Sequence, residues 1–148
     1  MSELTANRAM EILLVEDNPV EVYVMTRSLE QGNVPKNISV VGDGVAVLAF
    51  LRRQGEYVDA VRPDLVILDL NLPRKNGREV LAEIREDPNL RGLPVLVLSS
   101  SKAPEDILNA YTLHANCYIV KPLLLSDFRN TVTSIEDFWL KTAQLPPM

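Results

Sequence analysis

The sequence predicts a doubly wound α/β domain, a parallel sheet with helices on both faces, and three observations lead there. Short runs rich in Val, Ile and Leu alternate five times with longer stretches of helical period. Most of these runs are apolar at every position, as strands covered on both faces require. Gly, Pro and capping residues cluster at the junctions between them.

Taken in order, the first strand is residues 12–15, followed by a helix over 19–31 that opens on Pro19, a residue suited to a first helical turn. The second strand is 38–41, and Asp43 caps a helix over 44–54. The third strand, 65–68, leads to a helix over 77–86 with the apolar stripe Val80, Leu81 and Ile84. The fourth, 95–98, is followed by a helix over 104–114. The last strand, 118–120, precedes a helix over 126–140 with Ser126 as its expected cap. The organisation expected is a polar tail over 1–10, one domain over 11–140 and an extension over 141–148 that stops at Pro146 and Pro147. No repeat or low-complexity linker interrupts the pattern, and no output domain is expected.

Composition narrows the function. The 148 residues, 47% of them hydrophobic, suffice for one buried core. Fifteen Lys and Arg against twenty Asp and Glu give a net charge of −5, which disfavours contact with nucleic acid or an anionic membrane surface. One cysteine, Cys117, and one histidine, His114, can supply neither an internal disulfide nor a structural zinc cluster. The opening MSELTANRAM has no apolar signal core, and no apolar run approaches the length of a membrane span. The reducing cytoplasm is the expected setting.

In an open parallel sheet with right-handed crossovers, chemistry gathers at the carboxyl ends of the strands. Here the first strand ends in Glu16 and Asp17, the third in Asp69, the fourth in Ser99, and the fifth in Lys121 followed by Pro122. Three carboxylates on one edge repel unless a cation intervenes, and an all-oxygen site open to water suits Mg²⁺. Lys121 adds a positive charge and Ser99 a hydroxyl, both able to hold an anionic oxygen beside the metal. The combination fits a phosphoryl group.

The segments LLVEDN, DLVILDLNLPRKNG, LPVLVLSSS and CYIVKP resemble the four signature segments of response-regulator receiver domains of two-component signalling, and the resemblance spans residues 11–140. It implies the flavodoxin-like receiver fold, strand order 2-1-3-4-5 with five helices. It further implies that Asp69 is the phosphoacceptor, that Asp17 and Asp69 bind Mg²⁺ directly, that Glu16 acts through metal-bound water, and that the Asn71 carbonyl completes the metal shell. Ser99 and Lys121 would hold phosphoryl oxygens, with Ser99 standing where Thr is frequent. The Lys121–Pro122 bond would be cis, and Tyr118 would be the aromatic that follows the phosphorylation state. DLNLPRKNGREVLAEIRED, HANCYIVKP and SIEDFWLKTAQLPP are similar to single-domain response regulators that partner phytochrome-type histidine kinases. Such a protein signals by altered protein contacts, as a terminal output or as a phosphorelay intermediate, and hydrolyses its own aspartyl phosphate slowly; it is a switch rather than an enzyme with turnover.

Three other readings compete. A phosphatase of the haloacid dehalogenase type requires an acid two residues after its nucleophile, where this chain has Asn71. A flavodoxin-like FMN carrier needs a hydroxyl- and Gly-rich phosphate loop after the first strand, where this chain has EDNPVEVY. A receiver-like interaction module independent of phosphorylation typically lacks one or more of Glu16, Asp17, Asp69, Ser99 and Lys121, all present here. Among the other residues, Arg74 and Lys75 read as solvated charges, His114 as a helix-end residue favoured by the helix dipole, and Cys117 as a small buried residue. Phe138, Trp139 and Leu140 cannot all face one side of a helix, so at least one is exposed or covered by another chain. A homodimer through the last helix and the extension is the expectation.

Overall fold

The computed structural model describes residues 8–147. Five parallel strands, β1 (Met10–Val15), β2 (Lys36–Val41), β3 (Leu65–Asp69), β4 (Val95–Ser99) and β5 (Cys117–Val120), lie in the order β2-β1-β3-β4-β5. The helices are α1 (Pro19–Glu30), α2 (Gly44–Arg52), α3 (Gly77–Glu86), α4 (Pro104–Thr112) and α5 (Leu125–Ile135). A 3₁₀ turn, Gly55–Tyr57, follows α2, and α5 runs on into a π-helical stretch, Glu136–Thr142.

Alternation along the strands divides the core in two. Leu13, Val15, Val66, Leu68, Val95 and Val97 point to one face, where Val47, Leu48 and Leu51 of α2 and Val80, Leu81 and Ile84 of α3 cover them. Ile12, Leu14, Leu65, Ile67, Leu96 and Leu98 point to the other, against Met25 and Leu29 of α1 and Phe128, Val132 and Ile135 of α5. Every residue of β3 and β4 is buried, while edge strand β5 is only half-buried.

The helix starts follow local chemistry. The Asn18 side chain accepts hydrogen bonds from the backbone N–H groups of Val20 and Glu21, with Pro19 in the first turn, and Asp43 and Asn76 cap α2 and α3 in the same manner. Ser126 does not cap α5: Leu124 holds the extended cap position, so Ser126 falls inside the first turn, where its hydroxyl cannot reach the free N–H groups. Gly77 permits the close approach of α3 to the end of β3. A Cβ there would lie 2.5 Å from Leu70 Cα and 2.6 Å from the Asp69 carbonyl oxygen.

The last helix extends beyond residue 140, the expected domain boundary, to Thr142. The widened turn directs Glu136 inward, where it pairs with Lys36 Nζ at 2.7 Å and accepts from the Asn33 N–H at 3.1 Å. Lys36 also donates to the Leu29 carbonyl at 2.7 Å. Both side chains are almost fully buried, 4% and 7% exposed, so the chain crosses from α1 to β2 beneath a sealed ion pair. At the same end of the sheet, Arg8 meets buried Asp64 through two hydrogen bonds of 3.1 Å, and Trp139, Leu140 and Leu145 pack on the α1–α5 core. Phe138 is left 53% exposed, edge-on to Trp139. No helix among the described residues is long and apolar enough to cross a membrane.

Candidate phosphoacceptor site

Strand register assembles the site. Val15 pairs with Leu68, which brings the following residue, Glu16, level with Asp69. Asp69 pairs with Leu98 and Ser99 with Val120, so Ser99 and Lys121 project beyond the same edge. One carboxylate oxygen from each of Glu16, Asp17 and Asp69 lies within 4.8 Å of the other two. Glu16 and Asp69 are each 4% exposed and Asp17 is open to water.

Lys121 is the cation among them. Its ammonium stands 2.9 Å from Glu16 Oε2, 3.2 Å from Asp69 Oδ2 and 2.7 Å from Glu21 Oε1. Its backbone N–H donates to the Ser99 carbonyl at 2.7 Å, which fixes where the side chain starts. Burial opposes the charge on Lys121, but the close contacts with Glu21 and Glu16 and the charges of Asp69 and Glu16 outweigh it and raise its pKa above the ordinary lysine value. Burial raises the Glu16 pKa; the Lys121 hydrogen bond opposes that rise and the Asp69 charge adds to it. One ammonium cannot neutralise four carboxylates. The excess of hard oxygen donors, two of them buried, is the donor set of a divalent-cation site.

The remaining residues expected from the sequence stand around this cluster. Asn71 follows Asp69 with its N–H donated to Asp69 Oδ1 at 3.1 Å. The Ser99 hydroxyl is buried and accepts from the Ser101 N–H at 3.2 Å. Tyr118 is half-buried, and its hydroxyl donates to the Ser101 carbonyl at 2.9 Å, so one short loop links it to Ser99. The Lys121–Pro122 peptide is trans, contrary to the cis bond that the resemblance implies; trans is the lower-energy isomer of an isolated X–Pro bond by roughly 0.5–1 kcal/mol.

Lys75 is not a free solvated charge, since its ammonium pairs with Glu83 and holds that carboxyl below its usual range. Arg74 is exposed, with a positive φ of 70°. His114 is exposed just past the end of α4, away from the carboxylates. Cys117 packs on the α1–α5 core, and burial pushes its thiol up. Iodoacetamide at neutral pH should therefore modify Cys117 at least about tenfold more slowly in the native protein than in urea, read by intact mass.

Glu21 and Ser101 were not among the site residues expected from the sequence. A glutamate three residues after a capping Asn, directly beyond the first strand, is the signal that could have marked Glu21.

A parallel five-stranded sheet in this order, with a buried lysine bridging acids from two strand ends, is the architecture of the receiver class of signalling domains. The family model for the response regulator receiver domain matches residues 12–133, and the chain belongs to that family. It is 44% identical to the response regulator Rcp1 of Synechocystis sp. over 141 residues, 95% of this chain and 96% of that protein. Among solved structures it is similar to the phosphorylated cyanobacterial phytochrome response regulator RcpA, with 49% identity, a TM-score of 0.91, and coverage of 95% of this chain and all of that one. The Mn²⁺-bound form of Rcp1 aligns with a TM-score of 0.90 over 93% of this chain and 99% of that one.

Proposed function

We propose that this protein accepts a phosphoryl group on Asp69 from a phosphohistidine of a phytochrome-type histidine kinase, with Mg²⁺ bound, and signals through changed protein contacts. The observation that carries this reading is the Lys121 ammonium shared between Glu16 and Asp69 at the ends of adjacent strands. Glu16, Asp17, Asp69 and the Asn71 carbonyl would hold Mg²⁺, which supplies positive charge against the phosphoryl oxygens. An Asp69 carboxylate oxygen attacks phosphorus in line; the new O–P bond forms as the P–N bond to the donor imidazole breaks, and the imidazole keeps that electron pair. Lys121 then donates to a phosphoryl oxygen in place of the Asp69 carboxylate. The Ser99 hydroxyl donates to another and gives up the Ser101 N–H. Since the Tyr118 hydroxyl rests on the Ser101 carbonyl, that change passes to the β5 surface.

The kinase type rests on likeness to the phytochrome response regulators RcpA and Rcp1. Incubation with acetyl phosphate, with and without Mg²⁺, followed by intact-mass spectrometry tests the chemistry: a single phosphoryl gain that requires Mg²⁺ supports it, and a gain without Mg²⁺ or at several sites counts against it. A single cysteine, with no second to form an internal disulfide, fits a reducing, cytoplasmic setting.

A homodimer through α5 and its extension belongs to the same reading. Trp139 packs on its own domain, which leaves Phe138, of the three residues 138–140, as the exposed apolar side chain available to a second copy. Sedimentation velocity should show a dimer that Phe138→Ser shifts to monomer. A monomeric parent at high protein concentration would sink the idea.

A further inference from the structure

Glu21 sits at the third position of α1, three residues after the capping Asn18. A glutamate there ordinarily reaches back to the backbone N–H of the cap residue. That N–H is already taken, donated to Glu16 Oε1 at 3.2 Å. The Glu21 carboxylate turns instead to Lys121 as an ion pair, its buried Oε1 2.7 Å from Nζ, the shortest contact of that ammonium with any acid, but outside hydrogen-bond geometry. An ammonium has three N–H donors. Here Glu16 takes one of them, while Glu21 and Asp69 attract the ammonium by charge from opposite sides of the site.

We propose that Glu21 is a positioning residue that acts through Lys121, drawing the ammonium by charge away from Asp69 and so tuning how the site divides its affinity between cation and phosphoryl group. The inference rests on the reading of Asp69 and Lys121 given above. With Glu21 charged, Lys121 is drawn toward α1 and presses less on Asp69 and Glu16, which favours a divalent cation. The same negative charge stands against an incoming phosphoryl anion and holds back the ammonium that the anion needs. Neutralising Glu21 therefore moves the two affinities in opposite directions, whereas a merely structural defect weakens both.

The test measures Mg²⁺ binding by calorimetry and, at saturating Mg²⁺, beryllofluoride binding by ¹⁹F NMR, on the parent, on the isosteric Glu21→Gln and on Glu30→Gln. Glu30 is an exposed acid at the far end of α1 that lies outside the site and controls for net charge. The expected result for Glu21→Gln is Mg²⁺ affinity down by about threefold and beryllofluoride affinity up by about threefold, the scale of a partly buried ion pair, with Glu30→Gln at parental values. Loss of both affinities, no change in either, or the same shifts in Glu30→Gln would overturn the inference while leaving the site reading intact. A parent that binds neither Mg²⁺ nor beryllofluoride overturns the site reading and the inference with it.

Discussion

Asp69→Asn should lose phosphoryl acceptance from acetyl phosphate completely while keeping the fold. The carboxamide has nearly the shape of the carboxylate, so the contact with the Asn71 N–H survives, and Lys121 retains Glu16 and Glu21 as partners. What disappears is the nucleophile, because an amide oxygen carries no charge to bring to phosphorus. Removing one of several crowded negative charges offsets the weakened ion pair, and the unfolding free energy from urea titration should stay within about 1 kcal/mol of the parent. Intact mass reads the chemistry and urea unfolding the fold. A phosphoryl gain that persists in Asp69→Asn would place the acceptor elsewhere.

Lys36→Met should be the most destabilising single change outside the apolar core, by about 3–5 kcal/mol in urea unfolding. The methionine fills much the same space, but Glu136 keeps its buried carboxylate with only the Asn33 N–H to serve it. Gly32 closes that pocket so tightly that a Cβ on it would overlap the Glu136 carboxylate. Changing both partners, Lys36→Met with Glu136→Leu, should recover most of the loss, because an apolar pair asks for no charge compensation. If the double variant is as unstable as Lys36→Met, the damage lies in packing rather than in the stranded charge.

The sequence makes the sheet plain because its strands carry their burial openly: LVILD and VLVLS are apolar wherever a side chain faces a helix layer. β2 begins two residues earlier than the apolar run indicates, since Lys36 is a strand residue whose charge is hidden by a partner one hundred positions away. The same blindness to distant partners concealed Glu21, which reads locally as a first-turn acid favoured by the helix dipole. Asp69, Lys121 and Ser99 were visible because strand ends converge whatever the loops do. α5 starts a residue before Ser126, because that good capping side chain lies beside leucines that take the cap position without one. The π-helical ending, which starts at Glu136 where that residue meets Lys36, has no local signature.

The position of Trp139, the chain's only tryptophan, determines what light can report. It lies fourteen residues past the start of α5, about 20 Å along a helix that begins at the Asp69 edge and ends beneath the opposite one. Direct quenching by a metal at the carboxylates will not reach it. Its emission follows instead the seating of the C-terminal turn against the α1–α5 core, which makes the indole an optical gauge of the far end of the molecule.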